Sequence, residues 1–162
     1  RHTTGSGEII LVTRHAKAIR FKEAEIRAMG RQAAGVKAIR LSKDDKVVGM
    51  EAISATSDKK QDISKLLVIM EHGFGKQTEI KQYKRQKRGG SGIKTAKITQ
   101  KTGAVVNARL IGEEETELVA ISRKGQVIRT DLAAIPVSSR ATQGVRIMKL
   151  EETDGVASIT TL

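Results

Sequence analysis

Short apolar runs recur three times along the chain, and a turn follows each of them. The first runs are rich in Ile, Leu and Val and occupy residues 9–12, 66–69 and 118–121. Apolar runs of this length that are bounded by turn residues are typical of strands buried on both faces. A second run follows each turn, at residues 17–21, 74–78 and 126–130. The pattern therefore predicts three β-hairpins.

The three hairpins belong to three copies of one longer unit. Positions in register lie 57 and then 52 residues apart, and the clearest of them are an arginine and a glycine four residues after it. The arginines are Arg31, Arg88 and Arg140, and the glycines are Gly35, Gly92 and Gly144. Self-similarity at a nearly fixed period indicates that one supersecondary unit has been duplicated, so its basic segment recurs along one surface.

Each unit continues beyond its hairpin with a crossing segment and two further apolar stretches. Residues 23–29 alone would pass for a helical turn, but the third copy has Ile135-Pro136 at the aligned place, which favours extended backbone. An alternating stretch, such as residues 145–150, and a valine-led run, such as residues 105–106, complete the unit. Four strands in each unit predict an all-β, propeller-like fold.

We expect three blades of about four antiparallel strands, which form a partial disc or arc. The repeats run from about 8 to 56, 65 to 111 and 117 to 162, and residues 1–7 are interpreted as a linker or an expression remnant. Either an open arc or the pairing of two chains is needed at the terminal blade faces, because exposed strand edges associate readily.

The chain is strongly basic, with 30 Lys and Arg against 18 Asp and Glu and a net charge of +12. The excess recurs in each copy, whereas acidic residues such as Glu113 and Glu114 lie between copies. A single charge run is often only a solvated face, but recurrence in register indicates a positive band along one rim, which predicts an anionic partner. Cysteine is absent, which excludes disulfides, and no apolar run approaches the length of a membrane span.

Double-stranded DNA is the polyanion that fits this composition best. Aromatic residues make up 2% of the chain, too few for the stacking platforms that bind single strands and RNA loops. No recognition helix for a major groove is evident. A positive rim would contact duplex phosphates without sequence preference and would bend the duplex if the rim is curved. The alternatives are a propeller that binds a protein partner, and RNA binding, which the scarcity of aromatic residues disfavours.

Residues 86–92, with the sequence Gln-Lys-Arg-Gly-Gly-Ser-Gly, resemble the basic, glycine-rich box of the C-terminal domain of the bacterial DNA gyrase A subunit, usually Gln-Arg-Arg-Gly-Gly-Lys-Gly. Residues 12–13, 45–50 and 140–145 also resemble later blades of that family. Lys87 and Ser91 depart from the usual box, and the box lies in the second copy rather than in the first blade. The related subunit of topoisomerase IV is the alternative.

The resemblance implies a β-pinwheel, a propeller-like disc whose basic perimeter wraps duplex DNA and supports ATP-dependent negative supercoiling by the whole enzyme. It implies that this segment is not catalytic and holds no cofactor, while ATP, Mg²⁺ and strand cleavage belong to other domains. The implied partners are double-stranded DNA, the rest of the gyrase A protein and the ATPase subunit, with no membrane partner. The implied location is the bacterial cytoplasm, in association with the nucleoid.

The predicted DNA-binding residues combine the box with other basic residues in and around the aligned segments. Arg20 and Arg129 could instead end a strand without touching DNA, and His15 and His72 are interpreted as polar turn residues. Tyr83 aligns with apolar residues and is not a catalytic candidate, and no catalytic or metal-binding residue is predicted. The predicted DNA-binding residues are Lys17, Arg20, Arg31, Lys76, Lys84, Arg85, Gln86, Lys87, Arg88, Gly89, Gly90, Ser91, Gly92, Lys94, Arg129 and Arg140.

Overall fold

The computed structural model describes residues 3–54 and 64–162, and its regular structure is almost entirely β. Within those ranges, eleven strands form three antiparallel sheets, so the predicted all-β, propeller-like fold class is confirmed. The helical residues there are single 3-10 turns at Glu23–Glu25, Ile80–Gln82 and Leu132–Ala134. Part of the predicted linker and the end of the first predicted repeat lie outside the described residues.

Each copy contributes an apolar strand, a second strand across a tight turn and a valine-led strand, as predicted. The first copy has β1 (Glu8–Thr13), β2 (Lys17–Lys22) and β3 (Val47–Ile53). The second has β4 (Lys65–Met70), β5 (Phe74–Glu79), the short β6 (Ile93–Lys94) and β7 (Val105–Ile111). The third has β8 (Glu117–Ser122), β9 (Val127–Asp131), the short β10 (Val145–Arg146) and β11 (Val156–Thr161).

Each hairpin turn places one residue in the left-handed region of backbone space. Gly73 and Gly125 have φ values of 76° and 85°, as their turn positions predict. Ala16 adopts the same conformation with φ of 57°, which for a residue with a Cβ costs about 1–2 kcal/mol. The turn is held by the N–H of His15, which donates to the carboxylate of Asp45 at 2.8 Å. The backbone conformation is therefore set by the turn, and the first copy tolerates an alanine there.

The fourth strand of a blade comes from the next copy along the chain. The first sheet (blade 1) has the order β3-β1-β2-β6, the second (blade 2) has the order β7-β4-β5-β10, and the third (blade 3) has the order β11-β8-β9. Ile93 thus lies opposite Ala18, and Val145 lies opposite Gly75. This corrects the expectation that one repeat supplies all four strands of its own blade. The alternating pattern locates the donated strand, but it does not show which hairpin receives it.

The glycine that lies four residues after the repeated arginine allows the donated strand to pair with the preceding blade. Gly92 and Gly144 have φ values of 68° and 74°, and a Cβ on either would lie less than 3.0 Å from a carbonyl oxygen of the receiving strand. Those carbonyls belong to Ala18 and Gly75. A glycine is therefore needed where the donated strand meets the preceding blade.

The donated strands β6 and β10 lie at the outer ends of the first and second sheets. At the other end, β3 packs against β7 and β7 packs against β11, so these three strands form the inner side of the arc. Apolar cores fill the spaces between blades: Ile10 and Leu66 share the core between blades 1 and 2, and Leu67 and Leu118 share the core between blades 2 and 3. Successive residues of β4 point alternately toward blade 1 and blade 3, because side chains alternate between the two faces of a strand. The segments that carry β6 and β10 consequently form the perimeter.

Candidate nucleic-acid interface

The perimeter carries basic residues at three positions that recur in every copy. One is the arginine of the repeat, one lies in the donated strand or its aligned position, and one lies three residues further on. Because each copy docks on the preceding one in the same way, aligned positions follow one another along the perimeter. We call these nine residues the basic band: Arg31, Lys37, Arg40, Arg88, Lys94, Lys97, Arg140, Arg146 and Lys149.

Hydrogen bonds link the basic band from copy to copy. The Nη1 of Arg88 donates to the carbonyl oxygen of Lys37 at 2.6 Å. The Nη1 of Arg140 donates to the carbonyl oxygen of Lys94 at 2.9 Å. In both cases the repeated arginine bonds the donated-strand position of the copy before it, so the band is continuous from the first copy to the third. The repeated arginine therefore has a structural role as well as a charge.

Cations lie close to other cations along this perimeter. In blade 1, Lys17 and Lys94 are exposed and directly opposite each other on neighbouring strands, an arrangement in which like charges are destabilising. In blade 2, the guanidinium of Arg146 and the ammonium group of Lys101 both lie 5.4 Å from the centre of the Phe74 ring. An anionic ligand would stabilise such an arrangement.

The glycine-rich box at residues 86–92 packs against the first copy. The N–H of Gly89 donates to the carbonyl oxygen of Ala38, and the N–H of Arg40 donates to the carbonyl oxygen of Gly90, both at 2.8 Å. Part of the backbone of the box is therefore engaged within the protein rather than facing solvent. The exposed residues of this segment are Lys84, Arg85, Lys87 and Ser91, whereas Gln86, Arg88, Gly89, Gly90 and Gly92 are partly buried.

Arg20, a predicted DNA contact, lies between blades instead of on the perimeter. Its side chain is 9% exposed, and its Nη1 donates to the carbonyl oxygens of Ile80 at 3.1 Å and Tyr83 at 3.3 Å. It also forms an ion pair with the buried Glu8, which pairs with Arg85 as well. The Arg20 guanidinium holds the second copy against blade 1, and we leave Arg20 out of the proposed interface.

Gln77 and Arg129 are aligned with Arg20. Gln77 makes the same kind of contact between copies in blade 2, whereas Arg129 in blade 3 is exposed. In blade 2, the Nε2 of Gln77 donates to the carbonyl oxygens of Leu132 at 2.6 Å and Ile135 at 3.1 Å. In blade 3, the Arg129 side chain is 66% exposed, and its Nε donates to the carboxylate of Glu117 at 2.8 Å. Arg129 therefore occupies the aligned position, but none of the described residues covers it as the following copies cover Arg20 and Gln77.

Lys76 is a further predicted DNA contact, and its side chain is fully buried. The Nζ donates to the carbonyl oxygens of Ser139 and Arg140, both at 2.7 Å. Burial, with a smaller effect from the Arg140 charge, lowers the pKa of Lys76 to about 8. The ammonium group orients the backbone that carries Arg140, and we leave Lys76 out of the proposed contact set.

Five residues of the basic band were missed by sequence reasoning, which emphasised the box and the repeated arginine. The signal was present in the repeat register, because the two positions concerned hold Lys or Arg in all three copies. The structure adds that both positions are exposed in every copy. The missed residues are Lys37, Arg40, Lys97, Arg146 and Lys149. That Arg31, Arg88, Lys94 and Arg140 contact DNA stays a prediction.

Tyr83 and His72, which the sequence analysis also discussed, both make contacts within the fold. Tyr83 is 1% exposed, its hydroxyl lies 2.6 Å from the Thr95 hydroxyl, and burial raises its pKa. The Nδ1 of His72 lies 3.2 Å from the carbonyl oxygen of Lys101. Within residues 3–54 and 64–162, no group of three His, Cys, Asp or Glu residues could hold a metal ion. No helix in the same ranges is long and apolar enough to cross a membrane.

Antiparallel blades, of which the first two receive an outer strand from the following copy, together with a basic perimeter define a repeat protein of the β-propeller class. Comparison with known families narrows the class. The model of the DNA gyrase C-terminal domain, a β-propeller, matches residues 7–54, 64–111 and 116–162. The chain belongs to this family.

Known relatives agree with this assignment. The chain is 41% identical over 159 residues to the DNA gyrase A subunit of Staphylococcus epidermidis and 40% identical over 159 residues to that of Staphylococcus aureus. Each alignment covers 98% of this chain but 17% of the relative, so the chain spans about a sixth of their length.

Two solved structures share the fold. The C-terminal domain of DNA gyrase A has a TM-score of 0.83 and 22% identity, and the match covers 96% of this chain and 50% of that one. The C-terminal domain of DNA topoisomerase IV has a TM-score of 0.87 and 21% identity, and the match covers 98% of this chain and 47% of that one.

Proposed function

We propose that this chain binds duplex DNA along the basic band and bends it around the perimeter, as a non-catalytic wrapping domain of a DNA gyrase A subunit. The observation that carries the proposal is the recurrence of three basic positions in all three copies, on neighbouring blades and joined by hydrogen bonds. Membership of the gyrase C-terminal domain family supports it.

In the whole enzyme, the wrapped duplex would favour ATP-dependent introduction of negative supercoils. ATP hydrolysis with its Mg²⁺, and strand cleavage, belong in this proposal to parts of the protein outside this chain. The partners are double-stranded DNA, the rest of the gyrase A protein and the ATPase subunit. The location is the bacterial cytoplasm at the nucleoid.

Phosphate contacts explain both the affinity and the bending. Lys and Arg that neutralise phosphates release counter-ions, which favours binding without regard to base sequence. Bending a site of about 20–30 bp costs on the order of 1–6 kcal/mol, and contacts repeated on successive blades would offset that cost. Cations spaced along an arc therefore favour a bent duplex over a straight one.

Salt dependence tests phosphate recognition directly. If the six exposed cations outside the repeated arginine position each neutralise one phosphate, log Kd should rise with log salt concentration with a slope of about 5. Fluorescence anisotropy with two unrelated duplexes should give similar Kd values and similar slopes. Tight binding that ignores salt would contradict phosphate recognition, and binding of only one sequence would indicate base readout instead of sequence-tolerant wrapping.

Paired substitutions locate the interface. Lys94→Gln with Lys97→Gln removes two band charges from the second copy, and we expect the slope to fall by about 2 for every duplex tested. Lys43→Gln with Lys46→Gln removes the same charge from exposed residues that lead into the inner strand β3 and serves as the matched control. Equal losses in the two variants would mean that only net charge matters and that the basic band is not the site.

Bending and wrapping need a separate readout. Ligation of a short duplex into circles should be faster in the presence of the chain, and the Lys94 and Lys97 double variant should remove most of that effect. In the full-length gyrase A protein, the same pair should reduce supercoiling while leaving DNA cleavage unchanged. Normal supercoiling by that variant would contradict the wrapping role.

A further inference from the structure

The residue directly after the first strand of each copy is charged, and the sign of its charge alternates along the repeat. It is Arg14 in the first copy, Glu71 in the second and Arg123 in the third. The carboxylate of Glu71 lies between the two guanidinium groups. Its Oε2 accepts a hydrogen bond from Arg14 at 3.3 Å, and its Oε1 accepts one from Arg123 at 2.8 Å. One side chain of the middle copy is therefore bonded to both neighbouring copies.

Backbone hydrogen bonds place these charged residues at the junctions between blades. The N–H of Val105 donates to the carbonyl oxygen of Arg14 at 3.0 Å, and the N–H of Val156 donates to that of Glu71 at 2.9 Å. Val105 and Val156 begin the inner strands β7 and β11. The same bond thus joins blade 1 to blade 2 and blade 2 to blade 3. The ion pairs of Glu71 consequently cross both junctions beside the hairpin turns and near the inner side of the arc.

Two aligned glycines leave room for the charged side chains. A Cβ on Gly103 would lie 2.8 Å from the Cβ of Glu71, and a Cβ on Gly155 would lie 3.3 Å from the Cζ of Arg123. The first separation is too short for two carbon atoms, and the second is tighter than ordinary van der Waals contact. The loops that precede β7 and β11 are therefore shaped to accept the side chains of this position.

Farther from the hairpin turns, each junction has a polar contact of its own. Arg20 donates to carbonyl oxygens of the second copy, and Gln77 donates to carbonyl oxygens of the third. Each of these side chains reaches only the copy that follows it. The Glu71 carboxylate differs because it fixes the first and third copies to a common point.

We propose that Glu71 is a positioning residue that sets the spacing of the three blades beside the hairpin turns, and thereby the curvature of the basic band. The inference rests on the proposed function, since this curvature acts on DNA only if a duplex follows the band. Glu71 itself lies away from the perimeter and makes no contact with the duplex. Its effect on DNA passes through the positions of blades 1 and 3.

Charge repulsion explains how the loss of one carboxylate would change the curvature. With Glu71 ionised, the like charges of Arg14 and Arg123 are both attracted to the anion between them. Without it the two guanidinium groups repel each other, and the 18% exposure of the Glu71 side chain means that solvent screens this position incompletely. The gap between blades 1 and 3 then widens near the inner side of the arc. A wider inner gap straightens the arc, so the same cations would favour a less bent duplex.

The blade spacing can be measured in the protein without DNA. The chain contains no cysteine, so Lys43→Cys and Glu152→Cys, at aligned and exposed positions of the first and third copies, can carry a pair of spin labels. Pulsed electron paramagnetic resonance gives the distance between the labels. We expect Glu71→Gln to lengthen the mean distance by roughly 2 Å or more. Glu114→Gln removes the same charge from an exposed residue between copies and should leave the distance unchanged.

Duplex bending is then measured separately from duplex affinity. Glu71→Gln and Glu114→Gln raise the net charge equally, so their Kd values and salt slopes should agree. Ligation of a short duplex into circles should be slower with Glu71→Gln than with Glu114→Gln, by roughly threefold or more. A residue that only stabilises the fold would not change this rate well below the melting temperature, because the folded protein would bend the duplex as the parent does.

The outcomes separate this proposal from the proposed function. An unchanged label distance, or circles formed equally fast with the two variants, would overturn the role of Glu71. A difference in Kd or salt slope without a difference in circle formation would mean that Glu71 acts only through its local charge, which would overturn it as well. If the parent protein itself does not speed circle formation, the bending function fails, and the label distance still decides whether Glu71 sets the blade spacing.

Discussion

Blade 2 and blade 3 are built from aligned sequence, yet they differ in what covers their outer halves. In blade 2, β5 is buried along most of its length beneath the third copy, and Lys76, Gln77 and Thr78 are all buried. In blade 3, β9 alternates between exposed and partly buried residues. The difference does not arise from the hairpins themselves, whose strand pairing is alike. It arises from the third copy, which covers β5 of blade 2, whereas no described residues cover β9 in the same way.

This comparison shows that the structural unit is the junction rather than the repeat. A blade acquires its outer strand, part of its core and the partners of its buried polar groups from the copy after it. Stability in such arrays is approximately a sum of repeat terms and nearest-neighbour terms, and here the nearest-neighbour terms include backbone pairing. Substitutions at aligned positions should therefore have large effects inside the array and small effects at its ends.

The largest contrast is expected at the glycine of the repeat. Gly144→Val places a Cβ against the Gly75 carbonyl at a positive φ, which should cost about 3 kcal/mol or more and detach the third copy from blade 2. Gly35→Val has the same φ cost, about 1–2 kcal/mol, but meets no described atom. Urea unfolding at low protein concentration measures both. Equal losses would show that backbone conformation, and not the junction, explains the glycine.

A smaller contrast in stability is expected between Gln77 and Arg129, which occupy the same aligned position in blades 2 and 3. Gln77→Ala removes the side-chain donor to the carbonyl oxygens of Leu132 and Ile135, of which Leu132 keeps the bond from the Ile135 N–H, so the loss should be about 1–3 kcal/mol. Arg129→Ala removes an exposed ion pair with Glu117 and should change stability little. The same unfolding measurement compares the two variants. A large loss for Arg129→Ala would mean that blade 3 depends on this ion pair and is not simply an open copy of blade 2.

Periodicity was sufficient to predict the class of fold and nearly every strand. The apolar runs locate β1, β4 and β8 within one or two residues, and the valine-led runs locate β3, β7 and β11. Periodicity could not predict the strand exchange, because an alternating stretch fits its own hairpin as well as the preceding one. The choice is made by geometry at Gly92 and Gly144, where the backbone approaches the preceding blade.

The candidate site was predicted less completely for a related reason. Arg20 and Lys76 resemble the surface cations beside them in sequence, and only tertiary contacts reveal that their donors bond carbonyl groups of the next copy. Lys37 and Lys97 lie outside any recognisable motif, although the repeat register identifies both positions as basic in every copy. Positions that hold Lys or Arg in all three copies belong to the perimeter, whereas the positions of Arg20 and Lys76, which lie at junctions between copies, are not basic in every copy.

Lys76 offers a pH test of the same comparison, since blades 1 and 3 carry Ile19 and Ile128 at this position. Its pKa in the folded protein is about 8, below the ordinary value of 10.5, so the unfolded chain holds the proton more tightly. The free energy of unfolding should therefore increase between pH 8 and pH 9.5, relative to Lys76→Met. Thermal unfolding of both proteins across this range measures the difference. A constant difference would mean that the ammonium group is not buried as the structure shows.

The smallest effect is expected at Glu71, whose position is aligned with Arg14 and Arg123. The carboxylate of Glu71 accepts hydrogen bonds from Arg14 at 3.3 Å and Arg123 at 2.8 Å, so it joins all three copies. Burial opposes ionisation, but the Arg123 hydrogen bond and the charges of both arginines together lower the pKa of Glu71 below its ordinary value of 4.5. Its stabilising contribution is therefore present above pH 4.5 and is lost as the pH falls through the lowered value.

Replacement of this carboxylate should reveal that dependence. Glu71→Gln should lower the melting temperature at pH 7 and approach the parent protein at pH 3, whereas Glu114→Gln, an exposed residue between copies, should match the parent at both. Because Arg123 belongs to blade 3, the loss at pH 7 should appear mainly as earlier unfolding of the third copy, detectable by hydrogen exchange in β8 and β9. A loss that is the same at both pH values would show that packing, and not charge, attaches blade 3 at this point.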